Sequence, residues 1–552
     1  MTFSSLLHIF SRPLPQIDGD AAFKVWRRIA SFISLREFRA AKLYTLNRPF
    51  LHFYLEKQYS RLLLTYVYKD KPLKNHPLFR QLEHSCNSLA ISRVVRHIRI
   101  SILRYNKAGD IEKGSPGVAA ADTPAKRSSQ ERGPEISDAE HEDQFIAKED
   151  IVNTLSQLQS LTSITLCWTF PPPELDTITP NIPVYSSIVG SLPLVWSSCQ
   201  NTLTMLTLSF RPRYLCLGLP ALRFPNLQDF EFELSVLTID PPLWPPRLDD
   251  PDFPNIKRNL IEFLLNHKQT LRGLGLALPS CRFSKDLLDE IPYLQYLIRL
   301  SLSFPMFQCA VLSSIVSFIK PYSQVIRQFS FRLRSFPYIG NINRLKEWMS
   351  THWKAIVLPS VDNISLSFHL ALPFKLEATY LATLRSNIRT LALGSPSLTS
   401  ENVQELLVAL VNSGTHERLE NILFCPSSLT PGILHSIAEH LPGLRTLCIK
   451  YNTIAKHRDH DKGYNKPSYA QFSRLDLSNW CLEKLFLIRT VGKWDLERDG
   501  DVSAFISAIV QALPQVKQFN GLEPEEDWVD EEVDMLDTPF SQESFPSISW
   551  GK

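Results

Sequence analysis

The sequence predicts an α/β solenoid, an irregular horseshoe of stacked strand–loop–helix units, preceded by a small all-α bundle. Three observations predict it. A spaced apolar pattern, Leu-x-x-Leu-x-Leu with Ile, Val or Phe as substitutes, recurs from Leu161 to Val516. Stretches with apolar residues at helical spacing separate the recurrences. The 552 residues include 80 Leu and 39 Pro but only 19 Gly, which suits Leu-rich packing with Pro-punctuated connections better than Gly-rich phosphate loops. A chain of this length exceeds the size at which one hydrophobic core keeps growing, so an elongated array or several domains are expected.

Residues 14–60 come first and follow a helical logic. Phe23, Trp26, Ile29, Ala30 and Ile33 mark one helix face, and Ser34-Leu35-Arg36-Glu37 is a capping box opening a second helix with Leu35, Phe38 and Leu43 inward. Asn47 and Pro49 open a third, which carries Phe50, Phe53, Tyr54 and Tyr59. Such a bundle buries too little surface to stand comfortably alone and should lean on a partner or on the solenoid. Residues 61–105 are expected to form a connecting helix and a first strand. Residues 1–105 carry 18 Lys and Arg against 6 Asp and Glu, either as solvated helix faces or for docking onto an acidic protein or nucleic acid. Nucleic acid is the weaker reading, because the aromatics interleaved with bases from Arg48 to Arg80 fall at helical core spacing.

Within 106–148, residues 107–144 have only two large aliphatic residues, Ile111 and Ile136, and read as a disordered insertion that cannot offset its own ordering entropy. The tail, 522–552, reads similarly. Residues 523–537 hold nine acidic side chains and no basic one, while Trp528, Phe540, Phe545 and Trp550 give the tail the makings of a docking segment.

Between these segments, 149–521 is the repeat region. The pattern starts at Leu161, Leu203, Leu227, Leu271, Leu297, Ile326, Val361, Ile388, Leu419, Leu444, Leu482 and, weakly, Val516, at spacings of 24 to 44 residues. The long gaps imply insertions, 240–254 being the clearest. The unit from Leu444 to Ile454 satisfies the full L-x-x-L-x-L-x-x-N-x-L consensus with Asn452 in place, and here the sequence resembles the leucine-rich-repeat family. Elsewhere the Asn position holds Ser235, Pro396 and Ser427, with Leu237, Leu398 and Leu429 closing the unit, so the array should be irregular. Val403, Leu406, Leu407, Leu410 and Val411 predict a helix stopped at Gly414; Thr430-Pro431 opens one carrying Ile433, Leu434, Ile437 and Leu441; and Val502 to Leu513 forms another. One unit leaves its apolar face open, so stability comes from stacking, each buried Leu contributing about 1.5–3 kcal/mol.

The segment Val25-Trp26-Arg27-Arg28-Ile29-Ala30-Ser31-Phe32-Ile33-Ser34-Leu35-Arg36-Glu37-Phe38 resembles the F-box, an apolar helix, a short turn and a second helix. Asn47-Arg48-Pro49-Phe50, Arg61 to Leu64 and Val94 to Ile100 are similar to the post-F-box region of fungal F-box proteins in which a repeat array follows. The sequence departs from the family at Leu14-Pro15, which nine residues separate from Val25. The resemblance implies that Val25, Trp26, Ile29, Ile33, Leu35, Phe38 and Leu43 bind the Skp-type adaptor of a cullin-RING ubiquitin ligase, with the repeats holding a substrate protein. The alternative is that these seven are the core of a helical cap on a scaffold without adaptor.

Catalytic signals are weak. His457-Arg458-Asp459 has five residues before Asn465 where a kinase loop has four, and no Asp-Phe-Gly accompanies it. His457, Asp459, His460 and Asp461 read as a charged loop rather than metal ligands, and Gly273-Leu274-Gly275 lacks the third Gly of a dinucleotide turn. Cys167, Cys425 and Cys448 fall in repeat strands, not beside a His. The nine Cys show no Cys-x-x-Cys and no disulfide framework. No catalytic residue, metal or cofactor is assigned, and the chain is expected not to be an enzyme. Without a signal peptide or a spanning apolar run, it is expected to be soluble, cytoplasmic or nuclear, and to bind no membrane.

The binding surface follows from alternation. The L-x-L leucines point into the core, which sends the residue between them to the concave sheet face. That row reads Gly275, Ser301, Ser330, Ser365 and Ala392, then Leu423, Cys448 and Phe486 flanked by Lys450, Lys484 and Ile488. An apolar row with a basic margin suits an acidic, partly apolar peptide from the substrate, or the chain's own acidic tail around Trp528 folded back over it. Phe472, Leu475 and Leu477 offer a second register that replaces Phe486 by Asp476.

Overall fold

The computed structural model describes residues 23–25, 28, 30, 42, 44, 48–68, 93–104, 158, 160–168, 196–210, 219, 222–234, 253–278, 282–305, 311–334, 342–368, 374–383, 387–394, 398–454, 456–458, 465–467, 469–489 and 502–519. The insertion at 106–148 and the tail at 522–552 lie outside the described residues. The chain divides into two compact units, Met1–Thr270 and Leu271–Lys552.

In the first unit, helix α1 (Arg48–Tyr59) opens with Pro49 in its first turn and buries Phe50 and Phe53. It runs into strand β1 (Arg61–Tyr68), followed by β2 (His97–Arg104), β3 (Ser163–Trp168), β4 (Met205–Phe210) and β5 (Asp229–Leu234). All neighbours pair in parallel, with Arg61 opposite His97, His97 opposite Ser163, Ser163 opposite Met205 and Met205 opposite Asp229. Among the described residues, 61–105 carry two strands, one more than the first strand expected there, and 69–92, between them, lie outside the described residues. Tyr59-x-x-Leu62-x-Leu64 and Val95-x-x-Ile98-x-Ile100 keep the apolar spacing with Tyr and Val in first place, and Val95 and Ile98 are buried accordingly. Helix α2 (Phe253–His267) begins on the last two residues of the 240–254 insertion and packs Phe263 against Phe230, ring centroids 4.7 Å apart. Of the helical bundle's other residues, 23–25, 28 and 30 are helical, and the capping box lies outside the described residues.

The second unit is a parallel sheet of β6 (Gly273–Ala277), β7 (Arg299–Pro305), β8 (Gln328–Arg334), β9 (Asn363–Ser367), β10 (Thr390–Leu393), β11 (Asn421–Phe424), β13 (Thr446–Tyr451), β17 (Lys484–Arg489) and β18 (Gln518–Phe519), paired in that order. The short strands β12 (Ser428–Leu429) and β14 (Thr453–Ile454) form a second parallel ladder between two repeats. An antiparallel hairpin of β15 (Lys456–Arg458) and β16 (Asn465–Pro467) is inserted after it. Each of the twelve predicted motif starts is followed by a strand two residues later, and the first, fourth and sixth residues of each motif from Leu161 to Leu482 are buried. The strands β7 to β11, β13, β17 and β18 begin with the same bond: the N–H groups of Arg445 and Thr446 both donate to the Glu420 carbonyl, and those of Glu483 and Lys484 both donate to the Arg445 carbonyl. This places one residue per repeat in a row at the strand starts. From Arg327 it reads Arg327, Asp362, Arg389, Glu420, Arg445, Glu483, Lys517, alternating in charge at every step. Lys517 and Glu483 form an ion pair at 3.3 Å.

Helices α3 (Arg282–Glu290), α4 (Leu312–Ile319), α5 (Ile342–Thr351), α6 (Phe374–Thr383), α7 (Ser400–Asn412), α8 (Pro431–His440), α9 (Tyr469–Phe472) and α10 (Val502–Ala512) return the chain between strands. Thr399 caps α7 reciprocally: the Asn402 N–H donates to Thr399 Oγ1 and the Thr399 N–H to Asn402 Oδ1, both at 3.2 Å. Gly414 ends it in the left-handed region at φ 72°, as a stop signal should. Thr430 caps α8 by accepting the Ile433 N–H at 3.1 Å. Thr399→Ala is expected to cost about 1 kcal/mol, the usual loss for an N-cap, read as a lower urea midpoint with an unchanged slope. Where Ser427 replaces the consensus Asn, its Oγ donates to the Leu398 carbonyl at 3.3 Å, a shorter version of the ladder bond.

Candidate functional site

The residues between the motif leucines stand on the sheet face turned away from the helices, and in the second unit they form one register row. Gly275 is opposite Ser301, Ser301 opposite Ser330, Ser330 opposite Ser365, Ser365 opposite Ala392, Ala392 opposite Leu423, Leu423 opposite Cys448 and Cys448 opposite Phe486. The chain changes character along this row. Five small side chains come first, then three larger apolar ones. Lys484 stands opposite Thr446 on one side of the apolar end, and Lys450 opposite Ile488 on the other. Leu423, Phe486, Ile488 and Lys450 are half-buried and Lys484 is exposed.

Cys448 is only 2% exposed, although it sits on the face away from the helices. Leu423 and Phe486 stand in register on either side of it, so the three make one apolar row with the buried thiol at its centre. Burial pushes the Cys448 thiol up to about 12, against the pull of Lys450, and burial likewise raises Cys425. Neither is a thiolate nucleophile at neutral pH. The second register is not used. Asp476 lies in a turn, where its carboxylate accepts from the Ser478 hydroxyl at 2.7 Å and the Ser478 N–H at 3.2 Å, bonds that hold its pKa down.

On the first unit, taken by itself, the residues at the equivalent motif position are graded in charge. Arg61 and His97 stand side by side at its first edge, and Leu63, Arg99, Thr165, Thr207 and Glu231 follow in register. Thr207 donates to Glu231 Oε2 at 3.2 Å and Ser209 to Glu233 Oε2 at 3.1 Å. His97 is held below its ordinary pKa by desolvation first and then by Arg61 and Arg96. Part of the basic front is compensated internally, since Glu56 on α1 pairs with Arg96 at 3.4 Å. These acceptors and bases were legible only as strand alternation, because no motif marks them.

Of the seven residues assigned to adaptor binding, Val25 is described: it is helical and 46% exposed. Trp26, Ile29, Ile33, Leu35, Phe38 and Leu43 lie outside the described residues. His457 and Arg458 fall in the β15–β16 hairpin, while Asp459, His460 and Asp461 lie outside. Gly273 and Gly275 are strand residues of β6. Among the described residues no group of three or more His, Cys, Asp or Glu is placed to hold a metal ion, and no helix is long and apolar enough to cross a membrane.

Parallel strands in register, burial of the spaced leucines and returning helices define a leucine-rich-repeat type of α/β array. No family model matches the sequence, and no curated protein matches it. Among solved structures, the chain is similar to the yeast Rad7 and Elc1 complex at 11% identity, covering 81% of this chain and 91% of that one with a TM-score of 0.38. It is also similar to the leucine-rich repeat-containing protein LegL7 from Legionella pneumophila, at 15% identity over 66% of this chain and 94% of that one, with a TM-score of 0.33.

Proposed function

We propose that this chain is a substrate-recognition subunit of a cullin-RING ubiquitin ligase, with residues 14–60 docking on a Skp-type adaptor and the strand face of the repeats holding the substrate protein. The single observation that carries the recognition half is the in-register row of Leu423, Cys448 and Phe486 between Lys450 and Lys484. Apolar side chains on a solvent-facing sheet surface cost solvation unless a partner covers them, and the lysines select a partner with acidic residues. The adaptor half is supported by the F-box resemblance and by Val25, which is exposed on a helix where a packed cap would bury it. A scaffold that binds proteins through the same face without an adaptor is the second reading, favoured by Leu14-Pro15 standing apart from Val25.

Panning a displayed peptide library on the chain tests the first half. Enrichment of sequences mixing acidic and aromatic residues is expected, and Leu423→Glu with Phe486→Glu should abolish it. Enrichment unchanged in the double variant would remove this face from consideration. Calorimetry with a Skp-type adaptor tests the second half. Binding lost in Ile29→Asp with Leu35→Asp, with circular dichroism preserved, supports the ligase reading, while no binding by the unaltered chain leaves the scaffold.

A further inference from the structure

The apolar row lies beside the point where the described chain ends, and the sequence that follows has the chemistry to cover it. We propose that the acidic segment 523–537 occupies the row in cis, its carboxylates on Lys450 and Lys484 and its apolar residues on Leu423 and Phe486; this rests on the reading of the row as a peptide-binding surface. Three observations support it.

The first is position. β18 is the last strand among the described residues, and Gln518 pairs with Lys484, so the described chain ends one strand spacing from the row's basic margin. Leu423 lies three spacings from β18, about 14 Å at about 4.8 Å each. Trp528 follows Gln518 by ten residues, and an extended chain spans up to about 3.3–3.6 Å per residue, so the segment reaches the whole row.

The second is charge. The outward positions of β11, β13, β17 and β18, namely Asn421, Leu423, Thr446, Cys448, Lys450, Lys484, Phe486, Ile488 and Gln518, include two lysines and no acid. Residues 523–537 include nine acids and no base. The third is pattern. Trp528, Val529, Val533, Met535 and Leu536 are interleaved with those acids, so the segment brings apolar and acidic groups together, as the row requires. A segment held in cis acts at high effective concentration and sets a threshold that an incoming partner must exceed.

Zero-length carbodiimide coupling of the full chain at high dilution, read by mass spectrometry, tests this. Lys450 and Lys484 are expected to couple to carboxylates in 523–537. Leu423→Glu with Phe486→Glu should reduce that yield several-fold, while coupling of Lys517 to Glu483, already paired at 3.3 Å, persists as the sign of an intact fold. Lys517–Glu483 coupling without any tail coupling would overturn the proposal. So would tail coupling found only between isotopically distinct copies, which would assign the row to a second molecule. A chain that captures library peptides but couples no tail residue keeps the recognition reading and loses this inference; a chain that does neither loses both.

Discussion

Replacing Trp353 by alanine is expected to lower the stability of the second unit by about 3–5 kcal/mol, the range for emptying a large aromatic site in a packed core. Trp353 sits in a single 3-10 turn after α5 and is fully buried. Its ring centroid lies 4.2 Å from that of Phe331, 5.3 Å from those of Trp348 and Tyr380, and 6.0 Å from those of Phe329 and Phe368. These residues come from β8, α5, α6 and the end of β9, so the indole joins repeats as well as filling one. Trp348 is fixed independently, its Nε1–H donating to the Leu312 carbonyl at 2.9 Å. Chemical denaturation followed by tryptophan fluorescence measures the loss. Tyr380→Phe should move the other way. The Tyr380 hydroxyl and Trp353 Nε1 are buried without a hydrogen-bond partner among the described residues. Removing the hydroxyl is therefore expected to raise stability by about 1 kcal/mol, the low end of the penalty for an unsatisfied buried group. Destabilisation by Tyr380→Phe would mean that the hydroxyl bonds a buried water.

Acid is expected to loosen the first unit through His267. This ring lies between Phe263 and Phe224, with centroids 4.3 Å and 6.0 Å away. Nε2 accepts the Phe224 N–H at 3.0 Å, which leaves Nδ1–H to donate to the Phe263 carbonyl at 2.8 Å. Desolvation lowers its pKa below 6.5, Arg223 acting in the same sense and the Phe263 bond opposing. The neutral ring is the folded form. As pH falls below 6.5 the unfolded chain takes up a proton that the folded chain refuses, so stability declines until the lower folded value is passed and then levels off. Protonation also turns Nε2 from acceptor to donor and orphans the Phe224 amide. Hydrogen exchange at that amide, compared at about pH 7.5 and about pH 5 and normalised to the intrinsic rate at each pH, should show a lower protection factor on acidification. His267→Leu should cost about 1–3 kcal/mol at neutral pH, through the same orphaned amide, and reduce the pH response to the part that His97 carries. Equal acid sensitivity in both proteins would assign the response to another group.

The two sites differ in how far the sequence discloses them. Strand positions were legible because burial imposes a period of two and a spacing of three, which Leu161 to Val516 display without reference to anything distant. One strand was expected within 61–105, and β1 is the further one: Tyr59 stands where its pattern asks for Leu, Ile, Val or Phe, whereas Val95 before β2 is an allowed substitute. The Thr399 box and the Gly414 stop are local backbone chemistry, and only Asn402 in place of Glu or Gln disguised the first. His267 depends on Phe224, 43 residues away, and the Trp353 cluster draws on four elements, so neither has a local signature. The apolar row was readable in advance because alternation gives each strand's outward residue and the repeat aligns one with the next.

The charged row at the strand starts limits how this protein can change length. Arg327, Asp362, Arg389, Glu420, Arg445, Glu483 and Lys517 alternate in sign, with the acids half-buried and the bases exposed. Excising the repeat that contains Glu420 would set Arg389 beside Arg445 at one strand spacing, where like charges repel. Excising two neighbouring repeats restores the alternation. Gain and loss of units in this stretch are therefore subject to parity: the array grows or shrinks most easily by twos, and its natural module is a pair of repeats of opposite sign.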